Sequence, residues 1–189
     1  MQVDNPGRIL LALDKKLDHK VELTLIGKSA LWLGYDDAPN HFGVTLDVDS
    51  VVPERESAAF HLDLQFWDSL TSANAELATH GLYLTHIFEE WQIILRGNWM
   101  DHRVVLHRPA GLCHIRLLRP ATLDLILTKM MRGADPQHLE EVAWMMQHDR
   151  ITRADLLAAF QAARVPEDQE ILALFETAKP LVLARAYVS

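Results

Sequence analysis

The sequence is short of several things at once. It has one cysteine, Cys113, among 189 residues, which excludes an internal disulfide and a multi-cysteine zinc site. No apolar run approaches the roughly 18–20 residues that a membrane span needs. The N-terminal apolar piece, Ile9 to Leu13, is brief and is followed at once by Asp14, Lys15 and Lys16, which is not the pattern of an export signal. A reducing cytoplasm is therefore the expected compartment, with no membrane partner. Positive charge is also in deficit: 18 Lys and Arg stand against 26 Asp and Glu, a formal net charge of −8. Proteins built around broad phosphate neutralisation are usually basic, so that class is disfavoured, although a local basic patch is compatible with the sum. Internal repeats and low-complexity stretches are missing as well.

What is present is globular. Hydrophobic residues make up 49% and charged residues 23% of the chain, enough apolar surface for one domain and a small appendage. Asn5 to His19 reads as a helix, with Asn5-Pro6 at its start and Ile9, Leu10, Leu11, Leu13 and Leu17 supplying an apolar stripe. Val21 to Ile26 reads as a buried strand closed by Gly27, Lys28 to Leu33 as a short helix ended by Gly34, and Val44 to Val52 as a second strand. From Pro53 the apolar spacing turns helical through Phe60, Leu64, Trp67 and Leu70 and stops before Gly81. Short strands are expected near Leu82–Thr85, Trp91–Leu95, Arg103–His107 and His114–Leu118. Helices are expected over Thr122–Met131, Pro136–Gln147, Ala154–Ala163 and Asp168–Ala186. The expected class is α+β: a sheet-bearing core over residues 1–119 and a helical subdomain over 120–189.

The stretch with the most chemistry joins the two early strands. It runs Leu25-Ile26-Gly27-Lys28-Ser29-Ala30-Leu31 and then, after a spacer, Thr45-Leu46-Asp47-Val48-Asp49. Residues two apart on a strand share a face, so Asp47 and Asp49 project side by side and repel unless a cation lies between them. Mg²⁺ favours hard carboxylate oxygens while keeping positions open for phosphate. Gly27 lets the chain turn tightly into a helix whose N-terminal N–H groups, with the Ser29 hydroxyl, are suited to a triphosphate. These are parts for metal-assisted phosphoryl or nucleotidyl transfer. Aspartates alternating with valines are equally what a half-exposed strand shows.

The order of strand, glycine turn, short helix and D-x-D strand resembles the nucleotidyltransferase fold of DNA polymerase beta and many small bacterial transferases. More closely, the chain resembles predicted bacterial nucleotidyltransferases related to the abortive-infection nucleotidyltransferase toxins. The resemblance rests on Gly27-Lys28-Ser29-Ala30-Leu31, Gly34-Tyr35, Thr45-Leu46-Asp47-Val48-Asp49, and the later block Leu123-Asp124-Leu125-Ile126-Leu127-Thr128-Lys129-Met130-Met131-Arg132-Gly133. It implies a small mixed sheet of nucleotidyltransferase type flanked by helices. It also implies a Mg²⁺-dependent enzyme that moves a nucleoside monophosphate from an NTP to a hydroxyl of tRNA or of a protein, and a cognate antitoxin-like partner protein. On that basis Asp47 and Asp49 bind the metal and act in catalysis, Gly27, Lys28 and Ser29 contact the triphosphate, and Lys129 and Arg132, three apart on a helix face, neutralise phosphate charge. The chain departs from the pattern at four places. Lys28 stands for the second glycine, Gly43 for an arginine, and His138 and Glu141 for a pair of aspartates, while no acid appears on the strand His114–Leu118 for a third carboxylate. These departures define an alternative: a catalytically silent member of the fold acting as a binding module.

Other features weigh less. His138 and Glu141 have ligand spacing, but H-E-x-x-H is missing and no second helix offers a matching set. Ser29 lacks the Gly-x-Ser-x-Gly turn of a covalent nucleophile. Cys113, between Leu112 and His114 and near Ile115, is expected to be buried and inert. Trp144, Met145 and Met146 read as core of the helical half, or, if exposed, as a stripe for a partner, and Glu54, Glu56 and Asp63 as solvated acids on a helix.

Overall fold

The computed structural model describes residues 4–186. The chain divides into two compact units. The first holds the residues up to Glu89 and the segment Arg103–Arg119; the second holds Glu90–His102 and the residues from Pro120 on. Eight α-helices and a mixed five-stranded sheet are present among the described residues, so the class is α+β.

In the first unit, helix α1 (Asn5–Asp14) begins with the Asp4 carboxylate accepting the Gly7 N–H. It ends earlier than the apolar stripe predicts. Asp14, its last residue, accepts the backbone N–H groups of Cys113, His114 and Ile115 at 2.8, 2.7 and 2.7 Å, which fixes the entry of a distant strand. Strand β1 (Val21–Ile26) follows, buried at five of its six positions, as suits a strand covered on both faces. Gly27, at φ +68°, turns the chain directly into α2 (Gly27–Gly34).

Strand β2 (Asp47–Val52) is shorter than the alternating pattern from Val44 predicts. A strand needs a partner. Its antiparallel pairing with β1 begins at Ile26 opposite Asp49, and its other neighbour begins opposite Asp47, so Val44 and Leu46 lie outside the ladder and are exposed. The long helical stretch is two helices, α3 (Glu54–His61) and α4 (Leu64–Leu77), because Asp63 caps the second by accepting the Phe66 N–H at 3.0 Å. Gly81, at φ +65°, closes that region. Strand β3 (Tyr83–Glu89) runs parallel to β2 at the sheet edge. There the Asn74 side chain donates to the Leu84 carbonyl and accepts the Leu84 N–H, both at 2.9 Å. The sheet continues on the far side of β1 with β6 (Ile115–Arg119), parallel to it, and β5 (Val104–Val105), giving the order β3-β2-β1-β6-β5. Ile9, Leu10 and Leu13 of α1, Phe66, Leu70 and Ala73 of α4, and Leu23, Leu25 and Val48 of the sheet are buried.

The second unit contains α5 (Thr122–Met130), α6 (Pro136–His148), α7 (Arg153–Ala162) and α8 (Gln169–Leu183). The strand expected at Trp91–Leu95 is instead a 3₁₀ turn at Glu90–Gln92 followed by a two-residue strand β4 (Leu95–Arg96), paired with β7 (Ala163–Arg164). Capping is explicit. Asp135 accepts two N–H groups at the start of α6, and Thr152 and Asp155 form a reciprocal capping box on α7. Met145 and Met146 are buried as expected, and Trp144 is half-buried.

Candidate functional site

Asp47 and Asp49 stand two apart on β2, both half-buried, with Val48 between them buried in the core. The pairing of Asp49 with Ile26 places it beside the turn at Gly27. A Cβ on Gly27 would sit 3.7 Å from Asp49 Oδ2, so the backbone of the turn approaches that oxygen closely. The positive φ of Gly27, more than lack of space, is what favours glycine there.

On the other side of β2 the register of β3 shifts. Asp47 pairs with Tyr83 and Val48 with Leu84, but Asp49 pairs with His86, so Thr85 is an extra residue. This bulge brings two side chains onto one carboxylate oxygen: Thr85 Oγ1 donates to Asp49 Oδ1 at 2.9 Å, and His86 Nδ1 lies 3.2 Å from the same atom. Bulges often re-aim side chains beside functional sites. Asp49 Oδ1 is thus engaged while Oδ2 faces the glycine turn. Asp47 Oδ1 accepts the Thr45 hydroxyl at 2.7 Å. Of the two strands beside β2, it is β3 that places a hydroxyl and an imidazole next to Asp49. Neither Thr85 nor His86 stands out in sequence, because no local pattern reports which strand lies next to β2 or that its register slips.

A cleft of about 510 Å³ opens at this end of the sheet; Lys28, Thr45, Leu46, Asp47, Tyr83 and Thr85 are among its walls. Lys28 is half-exposed. Ser29 differs: it is buried, and its hydroxyl donates to the Ile26 carbonyl at 3.0 Å, which holds the first turn of α2.

Lys129 and Arg132 belong to the second unit. Lys129, on α5, is buried and forms an ion pair with the buried Glu141 of α6. His138 Nδ1 lies 3.7 Å from the same Glu141 oxygen. Burial holds His138 below the usual imidazole pKa, helped by the Lys129 charge and opposed by Glu141 and Asp135, so this ring is neutral near pH 7. Arg132 is exposed just beyond α5. Asp124, five residues before Lys129 on α5, is fully buried and clamped by Arg96: Nε and the backbone N–H both reach Oδ1 at 3.0 Å, and Nη2 reaches Oδ2 at 2.7 Å. Cys113, expected in the core, is exposed. It precedes β6 in the loop tied to Asp14, so its apolar neighbours in sequence do not enclose it.

No group of three or more His, Cys, Asp and Glu side chains gathers closely enough to hold a metal among the described residues. Of the two carboxylates on alternate positions of this strand, Asp47 lines the cleft and Asp49 stands beside the Gly27 turn; both are hard oxygen donors of the kind Mg²⁺ favours. No helix among the described residues is long and apolar enough to cross a membrane. Compared with known proteins, the chain matches no family model, no curated protein and no solved structure.

Proposed function

We propose that the first unit is a nucleotidyltransferase-type domain that binds an NTP with Mg²⁺ and transfers a nucleoside monophosphate to a hydroxyl of RNA or protein. The observation that carries the reading is the convergence of Asp49 on the Gly27 turn, with Asp47 and Lys28 lining one cleft beside it. Asp47 and Asp49 would hold the cation through hard carboxylate oxygens. When bound, Mg²⁺ supplies charge neutralisation and alignment of the phosphates. Gly27 opens the N-terminal turn of α2, whose backbone N–H groups suit phosphate oxygens, and Lys28 adds positive charge at the same edge. Thr85 and His86 engage Asp49 Oδ1, leaving Oδ2 on the side of the Gly27 turn. The reading rests on residues of the first unit alone, and a cognate antitoxin-like partner remains part of what the resemblance implies.

Titration of Mg·ATP, Mg·CTP, Mg·GTP and Mg·UTP into the wild type and into Asp47→Asn and Asp49→Asn, followed by α-phosphate label transfer, tests it. One nucleotide should bind with both aspartates required, each substitution weakening it by about tenfold or more, roughly 1.4 kcal/mol. Equal affinity in all three proteins sinks the assignment. A second reading, a binding module without transfer, is favoured by a specific observation: the strand beside Asp49 carries no acid at Thr85 or His86 to take a proton from an attacking hydroxyl. Metal-dependent nucleotide binding without label transfer to any acceptor supports that reading.

A further inference from the structure

We propose that the acceptor half of this cleft takes a polypeptide, with the accepting hydroxyl on a serine, threonine or tyrosine beside an apolar side chain, and not an RNA. The proposal deepens the nucleotidyltransferase reading and rests on it for the transfer step, though not for the docking step. Its basis is the apolar part of the cleft wall. Val44, Leu46 and Tyr83 are all cleft residues, and they are 48%, 58% and 38% exposed. Val44 and Leu46 are exposed because they precede the paired part of β2, so the apolar strip is a product of where the ladder begins.

The charges point the same way. An RNA acceptor brings a phosphate on either side of its hydroxyl, and RNA-binding surfaces match these with Lys and Arg. Among the residues lining this cleft, Lys28 is the sole lysine or arginine, and it stands at the edge assigned to the triphosphate. Asp47 faces the same space, and the chain as a whole carries −8. A neutral or cationic polypeptide meets no such repulsion, and covering Leu46 and Val44 removes apolar surface from water. The segment docks by side chains and not by adding a strand at Leu84, because the outward N–H and C=O of Leu84 are already bonded to Asn74. In the transfer, the acceptor oxygen forms a bond to the α-phosphorus and the bond from that phosphorus to the β-phosphate oxygen breaks. Pyrophosphate leaves with the electron pair, and the hydroxyl proton passes to water.

The docking step is tested without metal or nucleotide. Two fluorescein-labelled probes are titrated by anisotropy: a pool of short peptides with a central Ser, Thr or Tyr flanked by Leu, Val and Phe, and a short random-sequence single-stranded RNA. The peptide pool should bind more tightly than the RNA. Leu46→Asn and Tyr83→Ser, both surface changes, should each weaken the peptide by about tenfold, the effect of uncovering a large apolar side chain, with unchanged thermal melts. Tighter binding of the RNA, binding of neither probe, or peptide binding indifferent to both substitutions overturns the proposal. Mg·NTP titration of the same proteins separates the two levels. Wild type that binds peptide through Leu46 but no Mg·NTP leaves the docking surface standing and removes the nucleotidyltransferase reading. Nucleotide-dependent label that appears on RNA and not on peptide keeps that reading and overturns the acceptor class.

Discussion

Asp14 shows how much one side chain does in this chain. Its carboxylate closes a loop of about a hundred residues by collecting three N–H groups at the entry to β6. Burial alone would raise its pKa, but those three donors outweigh burial and hold it below the ordinary aspartate value of 3.8. A folded-state pKa below the unfolded one means stability that is present above about pH 4 and lost as the pH falls through the folded value. Asp14→Ala should cost about 3 kcal/mol at pH 7, since it strands buried donors. The gap to wild type should narrow in urea melts as the pH is lowered below about 4. Thr85 makes a different kind of contribution. It orients Asp49 from an exposed position, so Thr85→Val should leave the melting temperature nearly unchanged while weakening Mg·NTP about tenfold, the effect typical of lost support behind a ligand. A large fall in melting temperature with intact nucleotide affinity would reverse that assignment. Asp47, Asp49 and Gly27 were legible because two-residue strand spacing and a turn glycine are local signals. Thr85 and His86 were not, because a bulge shows itself only once two strands are paired. The exposure of Cys113 is hidden from the sequence for a related reason: its apolar neighbours in sequence do not enclose it in space.

At the scale of elements, α5 and α6 are joined by Lys129 and Glu141, both removed from water. Breaking such a pair from one side leaves a buried charge uncompensated, so Glu141→Ala should destabilise the protein by about 3–5 kcal/mol in chemical denaturation. The double change Lys129→Met with Glu141→Leu removes both charges and should restore most of that loss. Label transfer by the double variant then decides what Lys129 is for. Survival makes it a structural residue, whereas loss in a stably folded variant makes it catalytic, as the resemblance implies. Elements with a continuous signal were read nearly to the residue. β1 is a buried run stopped by glycine, and α6 is a proline-started amphipathic helix; both lie where the sequence puts them. Elements whose limits depend on a partner were read less well. β2 starts late because the ladders with β1 and β3 begin at Asp49 and Asp47, and before them only the Leu46 carbonyl, which accepts the Tyr83 N–H at 3.0 Å, reaches a neighbouring strand. β3 runs on to Glu89 because β2 extends beside it, although its own residues do not alternate cleanly.

At the scale of the molecule, the second unit is discontinuous. It draws Glu90–His102 out of the stretch between β3 and β5, and with it Ile94, Leu95 and Trp99, all buried, and Arg96, the partner of buried Asp124. A cut at the point where the sequence turns wholly helical therefore divides the unit. Residues 120–189 expressed alone should lack a cooperative melt, since Asp124 would be left without its guanidinium in an apolar surround. A construction that joins 90–102 to 120–189 through a flexible linker should regain the melt. A cooperative transition in the shorter fragment would show that the Arg96 clamp is dispensable. The helical composition after Pro120 was plain in the sequence. The contribution of 90–102 was not, because a two-residue strand pair such as Leu95–Arg96 with Ala163–Arg164 has no periodicity to detect.

The amide of Asn74 bears on the fate of the protein in a crowded solution. A parallel edge strand presents its free N–H and C=O groups as a template for any other extended chain, and such edges seed aggregation. By holding both backbone groups of Leu84, Asn74 imitates the next strand with a single side chain and ends the sheet there. The cleft beside it thus stays open to side chains while the edge is closed to an added strand at Leu84, the point of β3 that lies next to the exposed apolar strip.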